Sequence, residues 1–144
     1  RPLLVQATKS KIQMLTEFKE SPRSVLLGTQ SFWEGVDVRG VGLKLLIIDK
    51  LPFPNPSDPI YNAQSILIRS NGGNGFTELA LPKTVLSLKQ GFGRLMREAS
   101  DTGLFVLGDS RISSRSYRNY VINNLPEMVW PARHEDAIAW MRKL

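Results

Sequence analysis

Four short apolar runs, separated by amphipathic stretches, constrain this chain most. They are residues 3–5 (Leu-Leu-Val), 24–28 (around Val25, Leu26 and Leu27), 43–48 and 104–107. Each is too short for a buried helix and too apolar for a surface loop, so each reads as a strand. Strands of this kind, alternating with amphipathic helices, belong to an α/β fold with a parallel sheet. Parallel neighbours need a crossover of a dozen or more residues between them, and a helix supplies it.

The intervening segments carry helix signals. Residues 9–20 show helical spacing (Ile12, Leu15, Phe18) and stop at Ser21-Pro22. Residues 52–59 form a proline-rich loop, and Asp58-Pro59 opens a helix that runs to about Arg69. A glycine-rich loop follows at 71–75, and Pro82 starts another helix. Asp101-Thr102-Gly103 turns the chain into the last strand, and helices follow near 114–123 and 134–144. The first strand begins almost at Arg1, and about four strands make a small doubly wound sheet. The expectation is therefore a partial domain spanning 1–144, without its first strand–helix unit, whose exposed sheet edge can pair two copies.

Composition excludes several function classes. With no cysteine among 144 residues, a disulfide, a thiolate-bound zinc and an iron–sulfur cluster are ruled out for this chain. The single histidine, His134, has no ligand partners at useful spacing, so no metal site is expected. No apolar run approaches a membrane span, and no signal-peptide pattern opens the chain. Nineteen basic against 13 acidic residues give a net charge of +6, which favours a polyanionic partner.

The helix begun by Pro82 carries the sharpest chemical signal, Gln90-Gly91-Phe92-Gly93-Arg94-Leu95-Met96-Arg97. On a continuous helix, Gln90, Arg94 and Arg97 lie within about 60° of one another. Val85, Leu88, Phe92 and Leu95 take the opposite, core-facing side. Each of Gly91 and Gly93 costs roughly 1 kcal/mol relative to alanine inside a helix. Close approach of a bulky anion to bare backbone beside two guanidinium groups is one reason for them; a solvent-exposed stripe on a softened helix is the other.

Ligands of parallel sheets gather at the carboxyl ends of strands. Three polar segments stand there: Gly28-Thr29-Gln30-Ser31-Phe32-Trp33-Glu34-Gly35-Val36-Asp37, Asp49-Lys50-Leu51-Pro52-Phe53-Pro54 and Gly108-Asp109-Ser110-Arg111. Hydroxyls and N–H groups of Thr29 to Ser31 suit phosphates of a nucleic-acid backbone. Phe32 and Trp33 either stack on bases or plug the core. Gly35 allows close approach, and Asp37 offers an acceptor for a sugar hydroxyl. No Gly-x-x-x-x-Gly-Lys-Ser/Thr loop and no Gly-x-Gly-x-x-Gly is present. Arginines without a phosphate cradle suggest half of a site.

These residues carry a family resemblance. Residues 28–37 resemble helicase motif V. Gln90 to Arg97, continued through Asp101-Thr102-Gly103 to Asp109-Ser110-Arg111, resembles motif VI and its following strand. Both are similar to the XPD-like group of superfamily 2 helicases, most closely its bacterial DinG/YoaA branch, and residues 48–54 with Asp58-Pro59 strengthen that assignment. The resemblance runs from about Leu3 to Val129. It implies a RecA-like fold of the P-loop NTPase type: the second lobe of an ATP-dependent 5′-to-3′ DNA helicase, cytoplasmic and nucleoid-associated. The first lobe of such enzymes holds the phosphate loop and Mg2+ and, in most members, a 4Fe-4S cluster.

Carried over by position, the resemblance makes Arg94 and Arg97 catalytic arginines that reach the ATP γ-phosphate, supported by Gln90. Glu34, Gly35 and Asp37 line the nucleotide, and Thr29, Gln30, Ser31 and Lys50 meet single-stranded DNA. Asp101, Asp109 and Arg111 are expected to buttress. The expected partners are the N-terminal lobe and single-stranded DNA. Read without the resemblance, the charge and the aromatics also suit a stand-alone nucleic-acid-binding module, and the C-terminal helix (Ile138, Met141, Leu144) suits the contact surface of a partner-docking domain, neither with an ATPase role.

Overall fold

The computed structural model describes residues 2–21, 23–33, 43–98 and 100–143, with Ser31 and Trp33 described in backbone alone. The chain divides into two compact units, Arg1–Leu43 and Lys44–Leu144, and each carries one parallel pair of strands.

In the first unit, β1 (Leu3–Val5) pairs with β2 (Val25–Leu27), with Leu4 opposite Leu26. Helix α1 (Lys11–Glu20) makes the crossover, and the short α2 (Gln30–Trp33) follows β2. A capping box starts α1: the Ser10 hydroxyl accepts from the Gln13 N–H, and the Gln13 side chain accepts from the Ser10 N–H. That places the helix start two residues beyond Lys9. Leu4, Met14 and Phe32 form the core of this unit, with Leu15, Phe18 and Leu26 packed around them. Side chains alternate along a strand, so Leu26 joins this core while Val25 and Leu27 point the other way and stay exposed. The segment expected as a buried strand is therefore a strand with one face covered.

In the second unit, β3 (Leu45–Ile48) pairs with β4 (Leu104–Leu107) in parallel, from Leu45 opposite Leu104 to Ile48 opposite Leu107. The crossover consists of α3 (Pro59–Ser70), a π-helical turn (Phe76–Ala80) and α4 (Leu81–Leu95). Asp58 caps α3 by accepting the Tyr61 N–H, and Pro59 occupies its first position, where a missing N–H costs nothing. Helix α4 packs on both strands. It buries Leu81, Val85, Leu88 and Leu95, and Phe92 meets Phe105 of β4 edge-on with centroids 5.8 Å apart. Each such aliphatic side chain contributes about 1.5–3 kcal/mol on burial.

The π-turn has a local cause. Pro82 has no N–H to return to the carbonyl four residues back, and the Leu81 N–H instead bonds the Phe76 carbonyl five residues back. The helix that Pro82 was expected to start is thus preceded by a wider turn. After β4 come α5 (Arg111–Ser114), α6 (Arg118–Asn123) and α7 (His134–Met141). The single helix expected near 114–123 is two short ones, because the chain leaves helical geometry at Arg115. Among the described residues no helix is long and apolar enough to cross a membrane.

Candidate functional site

The chemistry-bearing residues of the second unit lie on α4 and on the segments that leave the carboxyl ends of β3 and β4. Gln90 is exposed on α4, and Arg94, one turn later, is half-buried. Arg94 Nε is buried, and no described group accepts from it. A buried donor without an acceptor costs about 1–3 kcal/mol. Gly93 leaves its stretch of helix bare, since a Cβ built there would meet nothing within 4 Å. Gly91, by contrast, is buried on the packed side.

Arg97 does not continue this stripe. Helix α4 ends at Leu95, and Met96 adopts extended geometry (φ −119°, ψ 109°). Beyond it the Asp101 carboxylate accepts the N–H of Arg97 at 2.8 Å and that of Glu98 at 2.9 Å. These two backbone bonds, that from Glu98 first, hold the Asp101 carboxyl below the usual carboxylate range. The expectation that Gln90, Arg94 and Arg97 share one helical face is corrected accordingly: two share it, and Arg97 sits on the turn that ends it. The reason is local, because a side chain that satisfies two consecutive N–H groups competes with the helix for them.

Asp109 ties the two strand ends together. Its buried carboxylate accepts the Leu51 N–H (2.8 Å), the Arg111 N–H (3.0 Å) and the Arg111 guanidinium, with the shortest contact 2.6 Å from Nη2. The Arg111 side-chain bonds are the main reason its carboxyl is held far below the ordinary range; burial opposes them, and the Leu51 N–H helps. The same pairing raises Arg111. Asp101, Asp109 and Arg111 are thus buttresses. Lys50 is exposed just beyond β3.

In the first unit, Gly28 makes the tight exit from β2, since a Cβ there would lie 3.0 Å from that of Phe32. The Thr29 N–H and hydroxyl both bond Gln6 Oε1, at 2.6 and 3.0 Å, and the Gln6 N–H returns to the Leu27 carbonyl. Gln6 therefore organises this loop. Sequence reasoning missed it, since a glutamine after a strand carries no local signal. Gln30 opens α2, and Ser31 follows within it. Phe32 belongs to the core, with Lys11 5.4 Å from its ring centre, so of the two roles open to it the packing role holds. Glu34, Gly35 and Asp37 lie outside the described residues. Among the described residues no group of three or more His, Cys, Asp or Glu side chains is gathered to hold a metal ion.

The helicase C-terminal domain family matches residues 1–128. The chain is similar to the ATP-dependent DNA helicase YoaA of Escherichia coli, at 47% identity over 125 residues, 87% of this chain and 20% of that protein. It is 36% identical over 143 residues to the ATP-dependent helicase DinG of Mycobacterium tuberculosis, covering 99% of this chain and 22% of that one. Against the 3′-5′ exonuclease DinG of Bacillus subtilis, identity is 40% over 114 residues, 79% of this chain and 12% of the relative. The chain thus spans at most about a fifth of the length of these relatives.

Proposed function

This chain belongs to the helicase C-terminal domain family, as found in helicases of the DinG/YoaA type, and on that premise we propose that it is the second, RecA-like motor lobe of an ATP-dependent DNA helicase. In this reading the lobe supplies arginines to an ATP site completed by an N-terminal lobe of the same protein, grips single-stranded DNA and moves 5′ to 3′ along it. It hydrolyses no ATP alone. The observation that carries the reading is Arg94: a half-buried guanidinium whose Nε has no described acceptor, beside a helix face bared by Gly93 and flanked by Gln90.

The chemistry follows from charge. As water attacks the γ-phosphorus and the bond to ADP breaks, negative charge develops on the transferred phosphoryl group and the leaving oxygen. A fixed guanidinium meeting that charge is worth about 10³–10⁵ in rate. Arg94 and Arg97 take this role, with Gln90 in support. Glu34, Gly35 and Asp37 line the nucleotide, and Thr29, Gln30, Ser31 and Lys50 meet the DNA backbone. Because the arginines and the phosphate loop lie on different lobes, hydrolysis depends on closure, and closure shifts the DNA-gripping loops of one lobe against the other. In this reading Mg2+ is held mainly by the N-terminal lobe, which is also where any 4Fe-4S cluster of the full-length protein would sit, since a chain without cysteine has no thiolate to hold one.

The test is single-stranded-DNA-stimulated ATP hydrolysis by the full-length protein, wild type against Arg94→Ala, with ATP and DNA binding followed in parallel. Turnover should fall by about 10³-fold or more while folding and binding persist. Unchanged turnover would make Arg94 structural and leave a nucleic-acid-binding module without an ATPase role.

A further inference from the structure

A second constellation stands beyond the carboxyl ends of β3 and β4, apart from the arginine stripe of α4. Phe53 follows β3, Phe76 opens the π-turn and Tyr117 precedes α6, and their ring centroids lie 5.5–5.9 Å apart. The Arg111 guanidinium sits 5.3 Å from the Phe53 ring centre while it grips Asp109. Phe53 is thereby fixed from several sides, whereas Phe76 keeps 42% of its surface open and Tyr117 is half-buried. Open aromatic rings held rigidly by other rings are preorganised for stacking, since little side-chain freedom remains to be lost on binding.

The charge around them selects the ligand. Residues 111–118 contain three arginines, three serines and no carboxylate. Arg115 and Arg118, exposed on either side of Tyr117, form no ion pair with any described residue. Asp109, two residues before this segment, is paired with Arg111, and Glu78, two residues after Phe76, accepts the Asn74 N–H at 2.7 Å. A purely apolar partner gains nothing from this basic rim, and a duplex hides the faces of its bases. Single-stranded nucleic acid offers open base faces and phosphates together.

We propose that Phe76 and Tyr117, backed by Phe53 and Arg111, form a base-stacking platform for single-stranded nucleic acid, with Arg115 and Arg118 meeting its phosphates. The proposal rests on the reading that this chain grips single-stranded DNA, and adds where the bases, as distinct from the backbone, are held.

The experiment compares binding of the full-length protein to labelled oligothymidylate and to an abasic oligomer of equal length, by fluorescence anisotropy. Wild type should prefer oligothymidylate. Phe76→Leu and Tyr117→Leu keep apolar volume but remove the π face; each should weaken oligothymidylate binding about tenfold and leave abasic binding unchanged. Phe76→Tyr should restore the preference, and Arg115→Gln should weaken both ligands alike. If the leucine variants bind both oligomers as wild type does, while wild type binds DNA and hydrolyses ATP, the platform is wrong and the motor-lobe reading stands. If wild type binds no single-stranded DNA, both fall.

Discussion

Arg94 and Arg97 are three residues apart, yet different structures position them. Arg94 is held by α4, whereas the backbone of Arg97 is held by the Asp101 carboxylate on the turn beyond the helix. Spacing placed both on one face because it assumed a continuous helix, and what ended the helix was an aspartate four residues downstream. Asp109 is the other deciding residue. Its carboxylate serves Leu51 after β3 and Arg111 after β4, so one buried charge fixes two strand ends. Asp109→Asn should cost about 2 kcal/mol near neutral pH, because it weakens the grip on the Leu51 N–H and removes the charge facing Arg111. The pH dependence follows from the sign of the shift. A carboxyl held below its ordinary 3.8 in the folded state contributes stability above that value and loses it as pH falls further. Thermal melts should therefore show a constant gap between wild type and Asp109→Asn from about pH 6 to 8. The gap should shrink below about pH 4; one that stayed constant there would remove the charge from the explanation.

At the scale of elements, the capping signals were legible and the packing details were not. Asp58-Pro59 opens α3 as the sequence dictates, since the cap and the proline act within one turn. The π-turn was invisible because it joins a proline's missing donor to a helix that had already begun. Glycines around α4 divide by their surroundings. A Cβ on Gly103 would lie 2.5 Å from Leu95 Cδ1, and Leu95 is buried, so the pair is a packing contact. Gly103→Ala should lower stability by about 1–3 kcal/mol. Gly93, with open space where a Cβ would go, should gain roughly 1 kcal/mol as alanine. If its bareness serves the nucleotide, that gain will come with slower ATP hydrolysis. Thermal melts and steady-state kinetics on the two variants separate these effects; a Gly93→Ala protein that is more stable and fully active would make the glycine dispensable.

For the molecule as a whole, the net charge of +6 sets a measurable expectation. Affinity for single-stranded DNA should fall as salt rises, and Lys50→Gln should make the log–log slope shallower by about 0.7 if Lys50 neutralises one phosphate. An unchanged slope would take Lys50 off the DNA path. The α/β class, the parallel pairing, the helix caps and the family were all legible along the chain, because apolar runs, caps and motifs are properties of residues near one another in sequence. Tertiary structure alone decided that Gln6 engages Thr29, that Phe32 belongs to a core, that Val25 and Leu27 face away from it, and that Phe53, Phe76 and Tyr117 converge. Each of these joins residues separated by at least ten positions, or depends on which face of a strand is covered. The energies involved come from burial and from buried hydrogen bonds, and neither exists until distant segments meet.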